Sequence, residues 1–139
     1  PYAVAQAEHF RSELILLRSV GSTLSGDGLS PVELGWVQEL ACEWARDYLE
    51  SIATHVRTRG IPVRLVVSRD VAHEAITQFA ETNGVDLIVI CSRGESGPSR
   101  WLMGTVADRV VRGATTPVLL VRATSQTDHG RAMGRMSHG

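Results

Sequence analysis

The fold of this chain is decided by residues 86–122, which read DLIVICSRGESGPSRWLMGTVADRVVRGATTPVLLVR. The apolar run Leu87–Ile90 ends in a loop rich in glycine and serine, and an amphipathic stretch and a second apolar run, 117–121, follow. This order predicts a strand, a glycine loop, a helix from about Ser99 to Arg112 and a strand over 118–121. In open α/β sheets, a glycine loop at the carboxyl end of a strand is where phosphate-bearing ligands bind.

The spacing of the glycines in this loop indicates an anion site. Gly94 is followed by nine residues and then by Gly104 and Thr105. Glycine lets several backbone N–H groups approach one anion, and Thr105 would cap or open the helix and add a hydroxyl donor. The competing interpretations are an ordinary turn for Gly94, close helix–strand packing for Gly104 and a simple N-cap for Thr105.

The loop resembles that of the universal stress protein family, whose ATP-binding members carry Gly-x2-Gly-x9-Gly followed by Ser or Thr. This chain reads Cys91-Ser92-Arg93-Gly94, nine residues, then Gly104-Thr105, so Cys91 replaces the first glycine. The segments GVDLIVI, GPSRWLMGTVADRVVR, PVLLVR and the opening YAVAQAEHFRSELILLRSV also look like that family. The likeness covers roughly residues 1–122 and is specific over 84–122.

Helices and strands alternate along the rest of the chain. The pattern predicts helices over Tyr2–Phe10, Val32–Arg59 and Asp70–Asn83, and strands over Glu13–Val20 and Ile61–Val67. We expect Ser30 to cap the second helix, Gly60 to end it and Asp70 to cap the third.

Apolar periodicity predicts which faces of these helices are buried. In the second helix the stripe consists of Val37, Ala41, Trp44, Tyr48, Ile52 and Val56, and in the third of Val71, Ala75, Ile76 and Phe79. Trp36 and Trp44 are expected to pack in the core or at an interface.

This alternation predicts an α/β fold, a doubly wound, Rossmann-like parallel sheet with helices on both faces. The resemblance implies five strands in the order 3-2-1-4-5, of which the first, central strand is not found because the sequence opens inside the family's first helix. We therefore expect an N-terminally incomplete domain over 1–123 and, because 124–139 are polar and aperiodic, a disordered tail there.

A sheet without its central strand would expose two interior edges, 13–20 and 87–90. Each unpaired buried backbone group costs about 1–3 kcal/mol, so we expect the gap to be filled. Upstream residues, a strand of a neighbouring chain and direct closure of the two edges are the alternatives. The opening in mid-helix without a cap favours upstream residues.

The resemblance implies an adenine-nucleotide site, with ATP as the ligand, with or without Mg²⁺. The phosphates would lie on Gly94, Gly104, Thr105 and Val106, and the adenine and ribose beside Ser19, Val20, Ile90 and Cys91. The family's adenine-contacting Asp lies on the first strand, so no residue here takes that role.

Three loop residues have competing interpretations. Arg93 is either a solvated charge or a phosphate clamp. Cys91 is expected to be a small buried residue at a strand end that can border ribose, with a reactive thiol as the weaker alternative. Glu95 would repel a triphosphate unless it points outward or helps to hold Mg²⁺.

Composition excludes several other classes of function. A net charge of −1 gives no electrostatic case for nucleic-acid or membrane binding. All 14 basic residues are Arg, which excludes a lysine Schiff base and the P-loop lysine. The spacing of Cys42 and Cys91 matches neither a disulfide framework nor a metal site. With no signal peptide or membrane span in the sequence, we expect a cytoplasmic protein.

Three functions remain. The first is regulatory binding of ATP in a stress response; the second is a non-nucleotide interaction or scaffolding dimer of the same family. Weak ATP hydrolysis is third, because the sequence contains no candidate general base. We expect a homodimer through the strand at 117–121, because it is short, apolar and at the inferred sheet edge.

Overall fold

The computed structural model describes residues 2–21, 28–92 and 104–122. The elements in chain order are α1 (Tyr2–Phe10), β1 (Leu14–Ser19), α2 (Pro31–Arg57), β2 (Val63–Ser68), α3 (Ala72–Thr82), β3 (Ile88–Cys91), α4 (Thr105–Gly113) and β4 (Val118–Val121). The predicted alternation is confirmed. The predicted helical residues 99–103 and the predicted tail, 124–139, lie outside the described residues.

The strands form two parallel pairs. β1 pairs with β2, with Leu14 opposite Val63, and β3 pairs with β4, with Ile88 opposite Val118. No ladder joins β1 to β3 in the described ranges. The parallel α/β class is confirmed. The strand order 3-2-1-4-5 stays a prediction, in which these two pairs would be the two halves of the sheet.

Each strand pair has a hydrophobic cluster of its own. Ala7 of α1, Val56 of α2 and Ile61, just before β2, form one cluster. Ala80 of α3, Ile88 of β3 and Val110 of α4 form the other. The first cluster therefore joins α1 and α2 to the first pair and the second joins α3 and α4 to the second pair, while α3 also contacts β1.

The predicted cap of α2 is confirmed, while the helix ends at Arg57, before the predicted Arg59. Ser30 is the N-cap: its hydroxyl accepts from the Glu33 N–H at 3.2 Å, and the Glu33 carboxylate accepts from the Ser30 N–H at 2.8 Å. The backbone N–H of Ser30 first, and then the Ser30 side chain, hydrogen-bond to the Glu33 carboxylate and lower its pKa. Gly60 follows the helix at φ +77°, a conformation that suits glycine.

The predicted buried stripe of α2 is wrong over most of its length. The buried residues are Ala45, Leu49, Ala53 and Val56, while Val37, Trp44 and Tyr48 are exposed. Trp36 is exposed as well, so neither tryptophan of α2 packs in the core of this chain. Small alanine side chains let the helix approach the strands closely, and the bulkier row beside them is turned away from the sheet.

Candidate functional site

A groove separates β1 from β3. One part, of about 650 Å³, is bordered by α1 and by Leu14 and Ile15 on one strand and Leu87 and Val89 at the other. A second part, of about 290 Å³, lies on the side of α3 and shares Ile15, Leu87 and Val89 with the first. The groove therefore passes between the two strand pairs, where the predicted order would put the central strand, and direct closure of the two edges is not seen in the described residues.

The carboxyl end of β1 is tied to the turn that follows β2. The Ser19 hydroxyl donates to the carbonyl oxygen of Asp70 at 2.5 Å and accepts from the Gly21 N–H at 3.3 Å. Val20 is buried, and its N–H donates to the Ser68 carbonyl at 2.8 Å. Both predicted ribose-side residues of this strand thus hold the end of β1 in place.

Gly21 is a site-forming residue that sequence reasoning missed. A Cβ atom at this position would lie 2.5 Å from the carbonyl oxygens of both Arg69 and Asp70. Real Cβ atoms do not approach backbone atoms so closely. Only glycine therefore lets the start of the loop after β1 meet the start of the turn after β2. The available signal was a glycine directly after a strand that ends at a predicted site.

The prediction that Asp70 caps α3 is wrong. The N-cap is Val71, without a side-chain hydrogen bond, and Val71 is exposed rather than buried. The Asp70 N–H instead donates to the Ser68 hydroxyl at 3.1 Å. Its backbone is held on both sides, by Ser68 and by Ser19, which keeps Asp70 in the turn before the helix.

The carboxyl end of β3 brings two of the predicted residues to the groove. Ile90 and Cys91 line its smaller part together with Leu17 of β1. Cys91 is an exposed free thiol, so the expectation of a buried side chain is wrong. The Ser92 N–H donates to the Val121 carbonyl at 2.8 Å, which extends the pairing with β4 past Cys91. The predicted site residues Arg93 and Gly94 lie outside the described residues.

The amino end of α4 has no side-chain cap in the described part of the chain. Gly104 is the N-cap, and its carbonyl accepts from the Asp108 N–H at 2.9 Å. Thr105 is the first helical residue, so it opens the helix and does not cap it. Thr105 and Val106 are exposed. First-turn N–H groups have no partner inside a helix, and together with the helix dipole they suit an anion.

The family model described as "Universal stress protein family" matches residues 2–122. The chain belongs to the universal stress protein family.

Several relatives of this universal stress protein are known. It is 33% identical over 94 residues to universal stress protein MJ0531 of Methanocaldococcus jannaschii, a match that covers 66% of this chain and 55% of the relative. It is 31% identical over 128 residues to universal stress protein YxiE of Bacillus subtilis, which covers 86% of each chain. The match to MJ0577 of M. jannaschii covers 49% of that protein, so the chain spans about half the length of both Methanocaldococcus relatives.

Solved structures share the fold. The structure of MJ0577 is 26% identical, with a TM-score of 0.71, and covers 90% of this chain and 88% of that one. A universal stress protein in complex with cAMP is 20% identical, with a TM-score of 0.54, and covers 88% of this chain and 87% of that one. At that identity the second likeness concerns the fold alone.

No group of three or more His, Cys, Asp or Glu side chains in the described ranges could hold a metal ion. No helix among those residues is both long enough and apolar enough to cross a membrane.

Proposed function

We propose that this universal stress protein domain binds an adenine nucleotide, ATP in the first instance, as a regulatory ligand in a stress response. The observation that carries the proposal is the amino end of α4. Gly104 leaves that end without a side-chain cap from any of the described residues, and the two residues that follow, Thr105 and Val106, are exposed. An uncapped, exposed first turn has several N–H donors ready for phosphate oxygens.

The phosphates would bind to the N–H groups of Thr105 and Val106 and to the Thr105 hydroxyl, which makes no hydrogen bond to the described residues. Gly94 and Arg93, from the loop before the helix, would complete the cradle. Mg²⁺ would enter with the nucleotide, bound mainly to phosphate oxygens.

Adenine and ribose would lie across the carboxyl ends of β1 and β3. Ile90 and Cys91 give this region an apolar lining, with Cys91 exposed at the place of the family's first glycine, and Val20 is buried at the end of β1. A universal stress protein of the same fold is solved in complex with cAMP, which is itself an adenine nucleotide. A protein with this fold can therefore hold an adenine nucleotide.

The ligand would act by shifting a population. A nucleotide that binds one conformation or one assembly better than another raises the population of the state that it prefers. The shift in this equilibrium cannot exceed the difference between its affinities for the two states. Two loop starts are locked together at Ser19, Gly21 and Asp70, so this part of the site is preorganised.

A substitution at Gly104 separates a binding role from a structural one. Its φ of −59° suits any amino acid, and Asp is among the best N-cap residues, so Gly104→Asp should stabilise α4 by a few tenths of a kcal/mol. The same carboxylate would occupy the N–H donors and repel phosphate. We therefore expect Gly104→Asp to raise stability slightly and to abolish ATP binding.

Titration calorimetry of the full chain with Mg-ATP and with adenosine tests this. ATP should bind with a Kd below about 1 mM and adenosine more weakly, because the phosphates supply much of the affinity. Thr105→Val should weaken ATP binding about five-fold, the value of one hydrogen bond, and Thr115→Val, an exposed threonine beyond the other end of α4, should leave it unchanged. Equal binding by the Gly104→Asp variant would contradict the proposal.

A second candidate function is a non-nucleotide interaction dimer of the same family. Cys91 favours this function, because it places a side chain at the strand end where the ATP-binding members of the family have their first glycine. The dimer would form through β4, whose Leu120 is exposed. Homodimerisation and a cytoplasmic location both stay predictions.

A further inference from the structure

One row of α2 exposes large apolar side chains from Val32 to Tyr48. The row has an i,i+4 spacing and is called the α2 ridge here. It consists of Val32 (63% exposed), Trp36 (69%), Leu40 (48%), Trp44 (68%) and Tyr48 (54%). Side chains at this spacing lie one above another on a helix and form a continuous ridge.

The ridge is large enough to be an interface. A Trp or Tyr side chain carries roughly 150–250 Å² of surface, so the five side chains expose on the order of 600 Å². The largest apolar patch on a typical monomer is about 300–600 Å² and is often functional. A stable complex needs about 800 Å² from each partner, which the ridge and its polar border together can supply.

An acidic row runs beside the ridge. Glu39, Glu43 and Asp47 are exposed, follow one another at i,i+4 and each stand three residues after a ridge residue. Like charges at this spacing destabilise a helix, and none of the three carboxylates forms an ion pair with any residue in the described ranges. On its other side the ridge adjoins the buried row that contains Ala45 and Leu49.

A cation already stacks on one end of the ridge. The Arg18 guanidinium lies over the Tyr48 ring, 4.7 Å from the ring centroid. Guanidinium groups bind the faces of Trp more strongly than those of Tyr. The faces of Trp36 and Trp44, which are exposed, therefore suit arginine side chains brought by a partner.

We propose that the α2 ridge docks an amphipathic helix of a partner protein whose apolar face is bordered by Arg or Lys. The apolar face would pack on the ridge, as i,i+4 ridges of two helices interdigitate at a crossing angle of about −50°. The basic border would meet Glu39, Glu43 and Asp47. A second copy of this chain would bring two acidic rows to one interface, and an anionic membrane surface would repel the same carboxylates.

The probe for a test is a pair of synthetic peptides about five helical turns long. Both carry leucines at i,i+4 spacing, one with Arg and the other with Glu on either side of the leucine face. Fluorescence anisotropy of the labelled peptides is measured against the full chain at low and high salt. We expect the Arg peptide to bind with a Kd on the order of 10 µM at low salt and the Glu peptide to bind at least tenfold more weakly.

Variants locate the binding on the ridge. Trp36→Ser and Trp44→Ser should each weaken binding of the Arg peptide at least tenfold, and Glu43→Arg should narrow or reverse the preference between the two peptides. Val111→Ser, at an exposed valine of α4, is the matched control and should bind as the unmodified chain does. Circular dichroism checks that each variant is folded, as expected for changes at exposed side chains.

Three results would overturn the proposal. The first is equal binding of the Arg and Glu peptides, or undiminished binding by the tryptophan variants. The second is an unmodified protein that light scattering finds dimeric and that Trp36→Ser makes monomeric, which would assign the ridge to a second copy. The third is binding to phosphatidylserine vesicles that Trp44→Ser abolishes, which would assign it to a membrane surface.

Discussion

Replacing Gly21 with alanine tests how closely the ends of β1 and β2 approach each other. The added Cβ would meet two carbonyl oxygens, those of Arg69 and Asp70, each at 2.5 Å. Neither oxygen is at the end of a flexible side chain, so the backbone of one loop must move. Overpacking that forces backbone shifts costs about 1–3 kcal/mol, and the Ser19–Asp70 hydrogen bond would be strained as well. We expect Gly21→Ala to lower the free energy of unfolding by about 3 kcal/mol.

Gly35→Ala is the matched control. Gly35 lies within α2, and a Cβ there would meet nothing within 4 Å. Alanine favours a helix over glycine by about 0.5–1 kcal/mol, so the same substitution should stabilise the protein at this position. Urea unfolding followed by circular dichroism measures both effects, and unchanged m-values would show that the comparison is sound. A Gly21→Ala variant as stable as the unmodified chain would refute the close approach.

The remaining predictions concern packing, capping and assembly. Val110→Ala should lower the free energy of unfolding by roughly 2 kcal/mol in urea, because Val110 is fully buried. Val111→Ala, at an exposed neighbour, should lower it hardly at all. Equal losses would show that the buried face of α4 is not the one that contains Val110. Ser30→Ala should cost about 1 kcal/mol near neutral pH. The lowered pKa of Glu33 comes first from the Ser30 backbone N–H, which this variant keeps, and it adds stability that is complete above the unfolded pKa and is lost as the pH falls through the folded pKa. Both the unmodified chain and the variant should therefore lose this contribution in acid. Light scattering at tens of micromolar (an order-of-magnitude choice) should find a dimer that Leu120→Asp splits, and a monomeric unmodified chain would count against pairing through β4.

Local signals predicted the order of elements well. The cap at Ser30 and the glycine ends at Gly60 and Gly84 act within a few residues of themselves, so the sequence alone indicates them. The parallel strands were also predictable, because apolar runs such as Leu87–Ile90 alternate with helical periodicity.

What the sequence could not decide depends on contacts between distant segments. Two apolar rows run side by side on α2, and periodicity does not say that the one with Ala45 and Leu49 faces the strands. Asp70 is a good cap by residue type, yet a hydrogen bond from Ser19, 51 residues away, holds it in a turn. The need for glycine at position 21 arises from that same long-range approach. Cys91 is exposed because it faces the groove beside β1, which no local pattern encodes.

The most direct test of nucleotide binding at α4 is a titration with Mg-ATP followed by backbone amide chemical shifts in nuclear magnetic resonance spectra. We expect the largest shifts at Gly104, Thr105 and Val106 and smaller ones at Ile90 and Cys91, and we expect them to disappear in the Gly104→Asp variant. The absence of shifts at the amino end of α4 at millimolar ATP, or shifts confined to other parts of the chain, would contradict this expectation.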